Sequence, residues 1–282
     1  MAPPRRLATF DQDGTLWVEH PIYTQVVFAF DRLARLAPQH PQWKKEMPYR
    51  AVLTRDRSAI AKFTTRDFEA IVLATHSGIS VDAFRAAVSQ WIAGARDPRW
   101  HQRYTALVYE PMLEVMRYLR KSGYATYIVT GGGQEFVRAY AQSVYGVPPE
   151  RVIGSALATQ FSSTPGRGPV LIKSARLLLD DNMSGKPEDI YLFTGRQPQA
   201  AFGNSDGDRQ MLEYAQTGGG TRLLMMVLHD DATREYAYGP ATKLPDTKFG
   251  TFSQSLYAEA RKSGWIVPSM RRDWKRVFAF ER

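Results

Sequence analysis

Three short stretches hold residues whose types and spacing suit chemistry. In "FDQDGT", Asp11 and Asp13 stand two residues apart at the end of the apolar run Leu7 to Phe10, and Gly14 breaks the chain at once. In "IVTGGG", a β-rich run ends at Thr130 and is followed by Gly131, Gly132 and Gly133. In "FGNSDGD", another apolar run ends in Asn204, Asp206 and Asp208. If these runs are neighbouring parallel strands, their loaded ends meet at one edge, the place where open α/β sheets bind ligands. Acids from two strand ends repel each other unless positive charge lies between them, and a hard divalent cation with oxygen ligands would supply it. Magnesium suits such a site best, because it accepts a few carboxylates, keeps waters and leaves a position for a substrate phosphate. An EF-hand reading fails: Gly14 falls at the fourth position of its loop, and Arg209 fills the sixth position of the other, where that loop requires glycine. The three glycines after Thr130 match neither a dinucleotide fingerprint nor a P-loop.

The elements that must position these residues alternate along the chain. Leu7 to Phe10 reads as a strand buried on both faces. "IYTQVVFAFDRLARLA", "TTRDFEAIVLATHSG" and "SVDAFRAAVSQWIAGARD" carry apolar residues at helical spacing, the last with Ser80 as N-cap, and no strand is expected between about residues 19 and 104. A helix from Pro111 to Ser122, the strand "YATYIVT" and a helix "QEFVRAYAQSVYG" follow. "RVIGSALATQF" and "GPVLIKS" flank the turn-rich "SSTPGRG" and read as a hairpin or flap. Lys186 opens another helical stretch, "QAAFGN" is a strand with "SDGDRQMLEYA" behind it, and "RLLMMVLHDD" is a further buried strand. This order predicts an α/β fold, a doubly wound parallel sheet with a mainly helical insertion. Residues 1–18 and 105–282 would form the catalytic core, and residues 19–104 a helical cap inserted after the first acidic motif.

Composition bounds the remaining possibilities. The 282 residues are 44% hydrophobic and 12% aromatic, enough for a sizeable core in one large domain or two smaller ones. No apolar run approaches the roughly 18 residues that a membrane helix needs. "MAPPRRL" is too short and polar for a signal peptide, so the chain itself points to the cytoplasm unless an upstream export signal has been removed. The absence of cysteine excludes disulfides, thiolate catalysis and zinc-thiolate sites. A net charge of +9 favours anionic partners without choosing among them. The basic residues are scattered, with one denser stretch, "MRRDWKRVF", read as a surface segment whose Trp274 and Phe278 are tucked into the domain. With no RNA-binding signature beside them, no nucleic-acid partner is expected.

Taken in order, "FDQDGTL", the strand ending in Thr130, Lys186 in "SGKPEDI" and "FGNSDGD" resemble the four motifs of the haloacid dehalogenase superfamily of phosphohydrolases. The insertion between the first two motifs resembles the cap of its phosphoserine-phosphatase-like branch. The resemblance implies a magnesium-dependent phosphomonoesterase acting on a small phosphorylated substrate. Asp11 would be the nucleophile that forms an aspartyl-phosphate, and Asp13 the general acid and base whose backbone carbonyl also binds metal. Gly14 would permit the tight turn, Thr130 and the Gly131 amide would hold phosphoryl oxygens, and Lys186 would supply fixed positive charge.

Two departures from that pattern stand out. Asn204 occupies a position where many relatives carry a metal-binding aspartate, which removes one negative charge; Asp206 or Asp208 would then share the metal, with Asn204 and Asp208 favoured. Glu19 lies near where phosphoserine phosphatases place a substrate-reading glutamate, but is followed by His20 and Pro21. Trp17, Glu19 and His20 are therefore candidate substrate contacts, and the group Trp17, Tyr23, His20 and Trp91 has two readings, lining a pocket under the cap or, as is commoner for such side chains, core. His40, His76, His101 and His229 show no paired metal-ligand spacing and read as structural. Two other functions stay open at this point: phosphoryl transfer to another acceptor, and a basic phosphate- or nucleic-acid-binding module without turnover. Dehalogenation is disfavoured by Asp13. Oligomeric state and the particular phosphomonoester are not readable from the chain.

Overall fold

A strand that is apolar on both faces needs cover on both sides, and that requirement organises the structure. In the computed structural model, which describes residues 6–164 and 167–281, β1 (Arg6–Phe10) lies inside a six-stranded sheet of order β4-β3-β2-β1-β5-β6. Its neighbours β2 (Tyr124–Gly133) and β5 (Ala200–Gly203) are both parallel to it, β6 (Leu223–Met226) is parallel to β5, and β3 (Val152–Thr164) is parallel to β2. Only β4 (Arg167–Leu179) runs antiparallel, against β3. The expected doubly wound parallel sheet is present.

Between β1 and β2 the chain forms α1 (Thr24–Leu36), α2 (Tyr49–Leu53), α3 (Arg57–Ile60), α4 (Thr65–His76), α5 (Val81–Gly94) and α6 (Glu110–Lys121). Ser80 caps α5 by accepting from the Ala83 amide, as its sequence position predicts. Beyond β2 lie α7 (Gln134–Arg138) and α8 (Ala141–Tyr145), then, after the hairpin, α9 (Gly185–Thr194), α10 (Arg209–Gln216), α11 (Gln254–Lys262) and α12 (Met270–Asp273).

Three buried clusters follow from this arrangement. On one face of the sheet, Phe10 and Phe202 stack at 4.2 Å and pack with Met112, Met116 and Leu119 of α6. On the other, Leu7, Val129 and Ala201 meet Ile190, Met211 and Leu256. The third lies among the inserted helices, where Leu33, Trp43, Val52 and Ile71 bury one another away from the sheet. Truncating a fully buried phenylalanine such as Phe10 would cost about 3–5 kcal/mol.

The structure departs from the sequence reading in three places. "QEFVRAYAQSVYG" is two short helices, because Tyr140 leaves helical backbone between them and turns its hydroxyl to Gln12. The first hairpin strand has two partners: its start pairs with β2 in the main sheet, and its remainder pairs with β4 as a flap. "RLLMMVLHDD" keeps strand geometry only to Met226, beyond which Val227 and Leu228 bond to Gly203 and Pro268 instead. Trp274 and Phe278 are buried against Tyr109. Pro165 and Gly166, in the turn expected within "SSTPGRG", lie outside the described residues, as do Met1–Arg5.

Candidate active site

Asp11 leaves β1 with its amide still bonded to the Phe202 carbonyl at 2.9 Å, so the sheet fixes where the carboxylate begins. The next turn winds about one acceptor, the Gln12 carbonyl, which takes the amides of Thr15 and Leu16 at 3.2 and 2.8 Å. Gly14 adopts φ +76°, and a Cβ there would collide with the Asn204 amide and the Glu19 carboxylate. Only glycine fits that approach. The Gly14 carbonyl is held from below by His229, whose Nε2–H donates at 2.7 Å, while Nδ1 lies 2.9 Å from Glu235.

The turn delivers its two acids to different partners. Lys186, fully buried at the start of α9, donates from Nζ to Asp11 Oδ1 at 2.6 Å, to Asp208 Oδ1 at 2.7 Å and to the Val129 carbonyl at 2.9 Å. All three of its protons are used. Burial alone would lower this lysine, but the carboxylates of Asp11 and Asp208 hold it above its ordinary range. Asp13 accepts from Trp17 Nε1 at 2.7 Å. Burial pushes Asp13 up to about 6, against the pull of that bond and of Lys186, into the range where a carboxyl can give and take a proton near neutrality. Burial, then the neighbouring Asp208, push Asp11 up to about 7, and Lys186 opposes them.

At the end of β2 the pairing with β3 shifts between Thr130 and Gly133, which leaves Gly131 exposed at the bulge. Thr130 Oγ1 accepts from the Gly132 amide at 3.0 Å, so its own proton is free to be donated. A Cβ built on Gly132 would stand 3.6 Å from Asp13 Oδ2 and 3.2 Å from Thr130 Oγ1, which places the two strand ends against each other. Gly133 donates to Gln25 Oε1 of α1 at 2.7 Å.

Of the third acidic stretch, Asp208 turns entirely inward. Its Oδ1 takes Lys186, and its Oδ2 takes the amides of Asn204 and Ser205 at 3.0 Å each. Asp206 faces away, accepting from the Ser253 hydroxyl at 2.8 Å. Asn204 stays beside the first turn, accepting from Thr15 Oγ1 at 3.0 Å and donating from Nδ2 to Glu19 Oε1 at 2.6 Å. Glu19 is 2% exposed, and its Oε1 also accepts from Tyr238 at 2.6 Å. Burial, opposed by those two bonds and reinforced by the charges of Asp13 and Asp11, raises it well above the usual carboxylate range. The carboxylate missing at Asn204 is thus present next to it, supplied by the turn after the first motif.

Among the described residues no three acidic or histidine side chains converge on one point as a ready metal cage. The donor set nevertheless fits a hard cation that keeps waters: Asp11, the Asp13 backbone carbonyl, Asn204 Oδ1 and Glu19 are all oxygen donors. Asp11, Asp13, Glu19, Asp181 and Asp208 share this region with one ammonium, Lys186, and the excess of acid calls for further positive charge.

Asp11, Asp13, Glu19, Thr130, Gly131, Lys186 and Asp208 line a cavity of about 530 Å³, a size suited to a small molecule. Trp17 and His20 do not line it: Trp17 stacks on Tyr140 beneath the turn, and His20 packs on Tyr238 with Nε2 3.1 Å from the Phe249 carbonyl. Trp91 is core, donating to Asp31, whereas Tyr23 reaches the cavity. Sequence reasoning missed Gln25 and Asp181; His229, read as structural, holds the first turn through the Gly14 carbonyl.

The sheet order sets the acids at the β1 and β5 ends beside one another with Lys186 between them, at the strand-end edge of an α/β fold. The family model for haloacid dehalogenase-like hydrolases matches residues 8–213, and the chain belongs to that family. No curated protein matches the chain. Among solved structures it resembles a conserved protein of unknown function from Anaerococcus prevotii DSM 20548, with 13% identity, TM-score 0.55 and 80% of each chain covered. A protein of unknown function from Bordetella pertussis Tohama I is similar at 16% identity and TM-score 0.53, over 93% of this chain and 97% of that one. At such identities the likeness speaks for the fold alone.

Proposed function

We propose that the protein is a phosphomonoester hydrolase that works through an aspartyl-phosphate on Asp11 and uses magnesium. The observation that carries this reading is the buried Lys186 ammonium bridging Asp11 and Asp208 beside Asp13 and the Thr130 turn. Asp11 attacks phosphorus as the ester P–O bond breaks, and Asp13 gives its proton to the departing alkoxide. Asp13, now ionised, takes a proton from the water that attacks the same phosphorus, which releases phosphate and restores the Asp11 carboxylate. Lys186 holds Asp11 in place and offsets the charge on the transferring group, and Thr130 donates to a phosphoryl oxygen. Bound magnesium, held by Asp11, the Asp13 carbonyl, Asn204 and Glu19, would supply further charge neutralisation at the phosphoryl oxygens.

Residues 19–104 act as the cap of this site, covering the ends of the strands and restricting entry to small substrates. The test is phosphate release from a panel of small phosphomonoesters, with magnesium or with chelator, for the native chain and for Asp11→Asn. Release that needs magnesium and disappears in the variant supports the reading. Release that persists in Asp11→Asn overturns it.

A further inference from the structure

The cavity does not end at the phosphate site. Its far wall comes from the flap, the inserted helices and α7, and carries the apolar side chains Val72, Leu73, Phe84, Phe136 and Leu157. On β4 the residues that line the cavity are Lys173, Ala175 and Leu177, at alternate positions of the strand, and of the three only Lys173 is buried. A lysine therefore stands in a row that otherwise carries apolar residues.

Its position is firmly set. The Lys173 amide donates to the Ile79 carbonyl at 2.9 Å, and its carbonyl accepts from the Gly78 amide at 2.7 Å, which pins this point of the flap to the α4–α5 connection. The residue is 5% exposed. Among the described residues its ammonium has no ion pair and no hydrogen bond; the Phe84 ring lies against it, centroid 4.8 Å away, and the charge of Glu135 acts on it only from beyond hydrogen-bond reach. Such a contact replaces none of the three hydrogen bonds the ammonium gave up on leaving water.

The neighbouring groups do not answer that demand. Glu135, the acid whose charge acts on Lys173, is bonded to Arg85 at 2.5 Å and to Arg138 at 2.8 Å. Glu69 of α4 is exposed. His76 is neutral: Thr75 Oγ1 donates to the Ile71 carbonyl and so accepts from His76 Nδ1–H, leaving Nε2 to accept from Gln25. Lys186, the other cation among the described lining residues, has spent all its protons on Asp11, Asp208 and Val129. One buried cation facing the cavity is left without a partner.

We propose that Lys173 is a second anion subsite, so that the substrate is a small phosphomonoester carrying a further anionic group, carboxylate or phosphate, on a short apolar body. This inference rests on the phosphatase reading: the ester phosphate occupies the Asp11 end, and the second anion pairs with the flap lysine as the body crosses the apolar wall. A desolvated ammonium that gains an anion forms a charge-assisted bond, stronger than a neutral one.

The test uses matched esters of two to five carbons: ω-phosphooxy acids against their primary amides, and α,ω-bisphosphates against the ω-hydroxy monophosphates. p-Nitrophenyl phosphate reports hydrolysis as such. The native enzyme is expected to favour the charged member of at least one pair by 10-fold or more in kcat/KM, and the pair that shows it identifies carboxylate or phosphate as the anion. Lys173→Met should bring that ratio close to one, and Lys173→Arg should retain it. Native ratios near one in both pairs, with p-nitrophenyl phosphate hydrolysed, overturn the subsite and leave the phosphatase standing. A ratio unchanged in Lys173→Met also overturns it. If Lys173→Met fails to fold, the native ratio and Lys173→Arg decide. Hydrolysis of none of the esters overturns the phosphatase reading and the subsite with it.

Discussion

The two ends of the cavity handle charge in opposite ways. At the strand ends several carboxyl groups surround Lys186, and each proton of that lysine has a protein acceptor. At the flap end a single ammonium, Lys173, is buried with an aromatic ring as its neighbour. The first arrangement is internally braced and rich in acid, which under the proposed function suits it to a cation and a phosphoryl group. The second is apolar and holds one unmet cation, so it selects what else the substrate may carry. Catalysis needs groups fixed before substrate arrives, whereas selection can be left to a group that the substrate itself completes.

The sharpest way to break this contrast is at the braced end. Asp11→Asn is expected to lower phosphomonoester turnover by about 10⁴-fold or more while the circular dichroism spectrum stays native. Asp13→Asn should lower it by about 10²–10⁴-fold, as loss of general acid–base catalysis does. Persistent turnover in either variant, at native-like folding, removes the roles assigned here.

Lys186→Met leaves Asp11 and Asp208 buried without their shared cation. It is expected to cost about 3–5 kcal/mol of stability in denaturant melts, as breaking a buried pair does. A loss below 1 kcal/mol would mean that the brace is not structural. At the flap, Lys173 has no bonded protein partner among the described residues to strand, so Lys173→Met should cost far less.

The excess of acid can be probed through Asn204. Asn204→Asp sets a carboxylate against Glu19, where the amide now donates at 2.6 Å. The variant should melt lower than the native protein in chelator and gain more from added magnesium, read by thermal shift. An equal magnesium response in both proteins would place the cation away from Asn204.

The smallest effect belongs to His76, between the two ends. Burial first, then Lys173 and Arg32, lower this imidazole to about 3. The unfolded chain, with an imidazole near 6.5, binds the extra proton between pH 6.5 and 3 and the folded chain does not. Stability therefore rises with pH across that window, and His76 contributes a slope of up to about 1.4 kcal/mol per pH unit. His76→Gln should remove that part of the slope between pH 5 and 6. An unchanged slope would mean that the imidazole is not kept neutral.

Much of the fold was legible because its signals are local. Apolar runs ending in Asp11, Thr130 and Asn204 are strands wherever such runs sit in an α/β chain, and Ser80 caps its helix through bonds within one turn. The acids, the threonine and Lys186 were readable from type, order and spacing. Less readable was how partners divide among them. Asp206 and Asp208 are two residues apart in one turn, yet one faces Ser253 and the other Lys186. Glu19 and Asn204 are 185 residues apart and share a hydrogen bond that no local pattern records.

The sequence by itself determined the sheet, the helical insertion and the chemistry of the strand ends, because backbone periodicity and glycine-permitted turns act over a few residues. Tertiary structure alone decided which of 37 basic residues are buried and what they face. Nothing in "VLIKSAR" sets Lys173 apart from the other lysines until the flap packs on the α4–α5 connection. Burial is a property of what packs from elsewhere, and here that packing joins β4 to the α4–α5 connection almost a hundred residues before it.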